Sequence, residues 1–138
     1  MEARAFVVDT NVVVAGLLTR DIHSPTVRLV DGMVAASFPF LLSPALLAEY
    51  REVLLRPKIR SRHGLEEKEI DSLLTEIVAN AIVRKPDPSP AATEESEDQH
   101  LWDLLGTEDG TVLVTGDQQL LDRPVAGASV VSPAGFFT

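Results

Sequence analysis

Apolar residues fall along the chain in short blocks whose spacing alternates between that of a strand and that of a helix. Ala5-Phe6-Val7-Val8 is a continuous, partly β-branched run that stops at Asp9-Thr10-Asn11, and it reads as a buried strand followed by a polar turn. Ser24-Pro25 sets a capping residue before a proline at the first helical position, opening a helix through Val27, Leu29 and Val30 that stops at Gly32. Phe38 to Leu42 reads as a second strand, placed near a sheet edge or begun after Pro39, because proline cannot donate to a central ladder. Ser43-Pro44 repeats the cap-and-proline device. The helix it launches runs through Leu55, with Leu46, Leu47, Tyr50, Val53 and Leu54 on one side and Glu49, Glu52 and Arg56 on the other.

Arg56-Pro57 ends that helix, and a basic stretch follows. Ile70, Leu73, Leu74, Ile77 and Val78 then recur at helical spacing, the clearest amphipathic pattern in the chain. Ala81-Ile82-Val83 reads as a short strand, and Pro86-Asp87-Pro88-Ser89-Pro90 as a surface loop. Ser96 or Asp98 caps a helix carrying Leu101, Leu104 and Leu105, with Trp102 alongside as a core residue. Thr111 to Thr115 is a strand halted by Gly116-Asp117, Ser129-Val130-Val131 is another, and Pro133 starts a closing helical turn. Strands alternating with helices predict an α/β fold with a mainly parallel sheet covered on both faces.

Composition narrows this picture. The 138 residues are the size of one domain, and 45% hydrophobic positions suffice for an ordinary core. The run from Val12 to Leu18 is too short to span a bilayer and no secretory pattern precedes it, so no membrane role is expected. The absence of cysteine removes disulfides, thiolate ligands and a thiol nucleophile, and it fits a cytoplasmic setting. Any metal must therefore sit on Asp, Glu or His.

With 12 basic and 21 acidic residues the net charge is −9, which repels a polyanion over the surface as a whole. Against that background Arg51, Arg56, Lys58, Arg60 and Arg62 cluster in one stretch opposed only by Glu52. Such a run is by default a solvated face, and its functional reading is a rail for an RNA backbone with little aromatic surface for stacking beyond Tyr50. His23, His63 and His100 show no paired ligand spacing and read as surface residues.

The candidate chemistry lies in carboxylates. Ligands of parallel α/β sheets bind outside the carboxyl ends of the strands, and two apolar strands here end in Asp9 and Asp117. On neighbouring strands about 4.8 Å apart, these acids share one edge and repel each other unless a cation intervenes. Asp98 sits at the front of a buried helix face, where an acid needs a reason. Each acid alone has an ordinary reading, Asp9, Asp98 and Asp117 as caps and Glu49 as a solvated helix residue. Together they suit a hard divalent ion, magnesium or manganese, and metal-assisted hydrolysis of a phosphoryl bond.

The ordered set Val7-Val8-Asp9-Thr10-Asn11-Val12, Leu47-Ala48-Glu49-Tyr50, Asp98 before a Leu-rich helix, and Val114-Thr115-Gly116-Asp117 resembles the PIN-domain ribonucleases over essentially the whole chain. With Arg56-Pro57-Lys58 and the closing Ser132-Pro133-Ala134-Gly135-Phe136-Phe137, it is most similar to the VapC-like branch, the toxin components of toxin–antitoxin pairs. The resemblance implies a single domain over 1–138, a three-layer α/β/α fold with about five mainly parallel strands, and RNA cleavage by metal-activated water that leaves a 5′-phosphate and a 3′-hydroxyl. It implies Asp9, Glu49, Asp98 and Asp117 as catalytic metal ligands for Mg²⁺ or Mn²⁺, with Asn11 and Thr115 orienting ligands or water behind them. A small antitoxin and a homodimer built from the early helices are the partners it implies. Gln119 replaces an acid common in that branch, which bears on a second metal, and Glu94, Glu95 or Glu97 could supply another carboxylate.

Three alternatives compete. A haloacid-dehalogenase-like phosphatase needs a second Asp where Asn11 stands, and a receiver domain needs a late lysine where Arg123 is the only base after Lys85. A catalytically weak or inactive scaffold that works through protein contacts is the non-enzymatic reading.

Overall fold

The computed structural model describes residues 4–86, 98–124 and 127–138. In chain order it contains β1 (Ala5–Val8), α1 (Thr10–Leu18), α2 (Pro25–Val34), β2 (Leu41–Leu42), α3 (Pro44–Leu54), α4 (Pro57–His63) and α5 (Glu67–Asn80). There follow β3 (Ile82–Val83), α6 (Gln99–Leu105), β4 (Thr111–Val114), α7 (Gln118–Asp122), β5 (Ser129–Val131) and α8 (Pro133–Phe136).

β4 lies between β1 and β5, parallel to both, with Val8 opposite Val114 and Val114 opposite Val131. β2 and β3 form a second parallel pair. A parallel bridge between Phe6 and Phe40, with the Phe6 N–H donating to the Pro39 carbonyl at 3.1 Å, joins the two groups. The spatial order is therefore β3-β2-β1-β4-β5, with β1 in the middle and every carboxyl end at one edge. α1, α2, α3 and α5 pack against one another while α6 packs on β1 and β4, which makes the expected three-layer α/β/α architecture. Phe40, Leu42, Leu46, Tyr50, Leu101 and Leu113 are among its fully buried residues. No helix of the described residues is long and apolar enough to cross a membrane.

Several boundaries differ from the sequence pattern, each for a physical reason. The polar turn expected at Asp9-Thr10-Asn11 is the start of α1, whose Val12, Val13 and Val14 are consecutive and all buried, so the helix shows no amphipathic period. α2 continues past Gly32, which is buried; a Cβ there would come within 2.8 Å of the Phe38 ring, so the glycine serves close packing rather than termination. The second strand begins after Pro39, one of the two readings the proline allowed, but it lies inside the sheet rather than at its edge, and the proline carbonyl still accepts from Phe6. The basic stretch is itself the helix α4, closed by Gly64 at φ +70°. Asp117 does not merely halt β4 but caps α7. The proline loop beyond Pro86 and the cap at Ser96 lie outside the described residues.

α1 and α2 pack in close contact. A Cβ on Gly16 would stand 2.8 Å from the Thr26 carbonyl oxygen and 2.7 Å from a Val30 methyl. Gly16→Ala must therefore push the two helices apart, and chemical denaturation is expected to show a loss of about 1–3 kcal/mol despite the better helix propensity of alanine.

Candidate active site at the carboxyl edge of the sheet

The parallel pairing of β1 with β4 continues one residue past the strand, where the Asp9 N–H donates to the Val114 carbonyl at 2.9 Å. This sets Asp9 beside Thr115, both buried. Asp9 Oδ1 accepts the Thr10 N–H at 2.8 Å and so caps α1, while Oδ2 accepts the Thr115 hydroxyl at 2.8 Å. Thr115 Oγ1 also accepts the Asp117 N–H at 3.1 Å and an Asn11 amide N–H at 3.2 Å. Its one donor and both acceptor positions are thus used. Asn11 closes the ring by accepting the Gly116 N–H at 2.9 Å, and Asp117 Oδ1 caps α7 through the Gln119 N–H at 2.9 Å. Capping and site geometry are the same set of bonds.

Glu49 arrives on α3, which Ser43 caps by accepting the Leu46 N–H at 3.1 Å. Its neighbour Tyr50 is fully buried and donates its hydroxyl to the Val8 carbonyl, next to Asp9. Burial holds that phenol well above its usual titration, with the Asp9 and Glu49 charges adding to the effect, so the hydroxyl remains a donor. Asp98 stands at the N-cap position of α6, where its side chain makes no capping hydrogen bond. Asp9, Glu49, Asp98, Asp117 and Asn11 all line one cavity of about 480 Å³, whose remaining walls include Val14, Leu18, Ile59 and Arg62.

Burial and neighbouring acids act together on Asp9 in this cavity. Burial raises the Asp9 carboxyl above its ordinary 3.8; the Thr115 and Thr10 hydrogen bonds oppose the shift, and the charges of Asp98 and Glu49 add to it. One Glu49 oxygen, Oε2, is buried without a hydrogen bond. An all-oxygen, anionic donor set of this kind fits a hard divalent ion such as Mg²⁺ or Mn²⁺. Among the described residues, however, no three carboxylates or imidazoles converge on one point as a finished coordination shell.

The structure divides the basic run. Arg62 lines the acidic cavity, and Lys58 and Arg60 are exposed on the same helix. Arg51 instead turns to α5, where Asp71 and Glu67 hold it; the guanidinium keeps the Asp71 carboxyl below its ordinary range. Arg56 pairs with Glu52 on its own turn. Neither of those two belongs to a rail leading into the cavity.

The histidines were expected at the surface, and two of them are instead engaged. His63 Nδ1 accepts the Leu65 N–H at 2.9 Å and its Nε2 lies 2.8 Å from the Leu54 carbonyl, so the ring ties the end of α3 to the approach to α5. His100 Nε2 stands 3.1 Å from Glu49 Oε2. No spacing rule flags His100; only the packing of α6 on α3 brings it to the site. Trp102, expected in the core, is half-buried. Glu94, Glu95 and Glu97 lie outside the described residues.

With this geometry in place, comparison with known proteins can be read: the family model described as PIN domain matches residues 5–119 of the chain. No curated protein matches the chain.

Two outcomes are expected of the buried network. A carboxyl whose folded titration lies above 3.8 binds its proton more tightly folded than unfolded; its contribution is complete below 3.8 and lost as pH rises through the raised titration. Asn does not titrate, so in metal-free buffer the stability of the wild type relative to Asp9→Asn is expected to fall from acid towards neutral pH, as urea denaturation at several pH values will read. Thr115→Val strips Asp9 of a donor and the Asp117 N–H of its acceptor, and is expected to cost about 1–3 kcal/mol, whereas Thr115→Ser keeps the hydroxyl and most of the stability.

Proposed function

The chain belongs to the PIN-domain family, a nuclease-type fold whose members typically use divalent metal ions, and from that premise we propose that it is a Mg²⁺- or Mn²⁺-dependent endoribonuclease. The observation that carries the reading is the meeting of Asp9, Glu49, Asp98 and Asp117, from separate parts of the chain, in one cavity at the carboxyl edge of a parallel sheet. These four residues would hold the ion, which when bound supplies Lewis-acid polarisation of the phosphodiester and an activated water.

The chain's own residues set the rest. Thr115 and Asn11 fix the Asp9 carboxylate through hydrogen bonds, leaving its rotamer little freedom. Arg62, on the wall of the same cavity, is placed to take a phosphate oxygen of the substrate, and Lys58, one turn back on α4, extends that positive side, whereas Arg60 lines a separate hollow with Pro57, Ser61 and Glu66. This local charge supports RNA as the substrate in spite of the net −9. Hydrolysis that breaks the bond between phosphorus and the 3′ oxygen puts the water oxygen on phosphorus and a proton on the leaving oxygen. The products are a 5′-phosphate and a 3′-hydroxyl.

The Glu49-Tyr50 helix followed by Arg56-Pro57-Lys58 supports a role as the toxin of a toxin–antitoxin pair, acting in the cytoplasm as a homodimer with a small protein inhibitor. The phosphatase alternative is not carried forward. Asn11, where its second Asp would stand, is committed to Thr115 and Gly116 and cannot act as an acid. The scaffold reading keeps one observation in its favour, Gln119 at a position where the similar branch often carries an acid.

Incubation of end-labelled single-stranded RNA with the purified chain and Mn²⁺ or Mg²⁺ separates the two. Endonucleolytic cuts that carry 5′-phosphates and vanish with EDTA or with Asp117→Asn are expected. Binding of Mn²⁺ with no cutting of any RNA supplied would favour the scaffold.

A further inference from the structure

We propose that His100 is a positioning residue of this site, acting through Glu49; the inference rests on the metal-dependent reading above and deepens it. His100 Nε2 lies 3.1 Å from Glu49 Oε2, with the two side chains 24% and 34% exposed. The contact is off the line of a full hydrogen bond, and Glu49 Oε2 is a buried atom with no other partner. His100 Nδ1 is also buried and without a partner. A proton on Nδ1 would be a buried donor with nothing to accept it, so the neutral ring carries its proton on Nε2, the edge that faces Glu49.

A glutamate on a helix face has several free torsions and in water would sample many directions. Here the imidazole edge restricts one oxygen from the α6 side, and Tyr50, the next residue on α3, anchors the same helix to the Val8 carbonyl beside Asp9. Glu49 is thereby directed at the cavity it shares with Asp9, Asp98 and Asp117 from two independent contacts. His100 itself does not line that cavity; it faces a neighbouring one with Ser43, Lys85 and Asp103. Its contribution is thus to the orientation of a ligand rather than to the ligand set, the role that partners behind a metal-binding side chain commonly play.

The test uses the full chain and three measurements. Long-range ¹H–¹⁵N spectra of the metal-free protein are expected to show the His100 proton on Nε2; a proton on Nδ1 overturns the proposal without reference to any metal. Mn²⁺ titration followed by electron paramagnetic resonance is expected to show about tenfold weaker binding for His100→Ala, with partial recovery in His100→Gln, whose amide can still donate. In a Glu49→Gln background, His100→Ala is expected to add nothing. Unchanged Mn²⁺ affinity in a folded His100→Ala, or an equal loss in both backgrounds, would overturn the positioning role while leaving the nuclease reading intact. Failure of the wild type to bind Mn²⁺ at all overturns the metal-dependent reading and this inference together. Thermal melts of each variant separate a loss of fold from a loss of orientation.

Discussion

The structure turns on the parallel register that sets the end of β1 against the end of β4. Val8 lies opposite Val114, the next residue on each strand is polar, and Asp9 meets Thr115 where both are largely buried. A carboxylate taken out of water must find donors, and the surroundings are arranged to give them: the first N–H of α1, the Thr115 hydroxyl and the Asn11 amide. The same hydroxyl takes the Asp117 N–H, so the turn leaving β4 is shaped by the group that satisfies the acid at the end of β1. The start of α1, the start of α7 and the orientation of two acids follow from one strand pairing.

Tyr50 solves a related problem on the other side of β1. Alternation along the strand points the Val8 carbonyl towards β2, one step beyond the Phe6–Phe40 bridge, and a side-chain hydroxyl from α3 supplies its donor. A helix is thereby attached to a strand at the point where the backbone ladder gives out. What is not resolved within the fold is charge. Hydrogen bonds stabilise the Asp9 carboxylate, yet burial and the neighbouring acids outweigh them and its titration is still raised. The acids that meet in this cavity leave it with a negative potential that the hydrogen bonds do not cancel.

Much of this was legible in the sequence, and the failures have a common cause. Asp9 and Asp117 stand out because an apolar run ends abruptly in an acid, and the two Ser-Pro starts and the Leu-rich helix after Asp98 are local signals. α1 leaves no trace in the pattern because a helix buried on nearly every side has no polar stripe to set its period. α4 is hidden by its charge and its length, a basic run that reads as a solvated segment. Glu49 is indistinguishable along the chain from any glutamate on a polar face, and Arg51 and Arg62 look equivalent although one faces α5 and the other the acids. Partnership across elements is a property of the tertiary fold. No spacing rule reaches it.

The contact that completes the site, Thr115 to Asp9, spans 106 positions of the chain. A ribosome making this protein releases Asp9 early and Thr115 late, and between the two β1 has no partner on its β4 side. No growing intermediate short of that point can possess the assembled cavity.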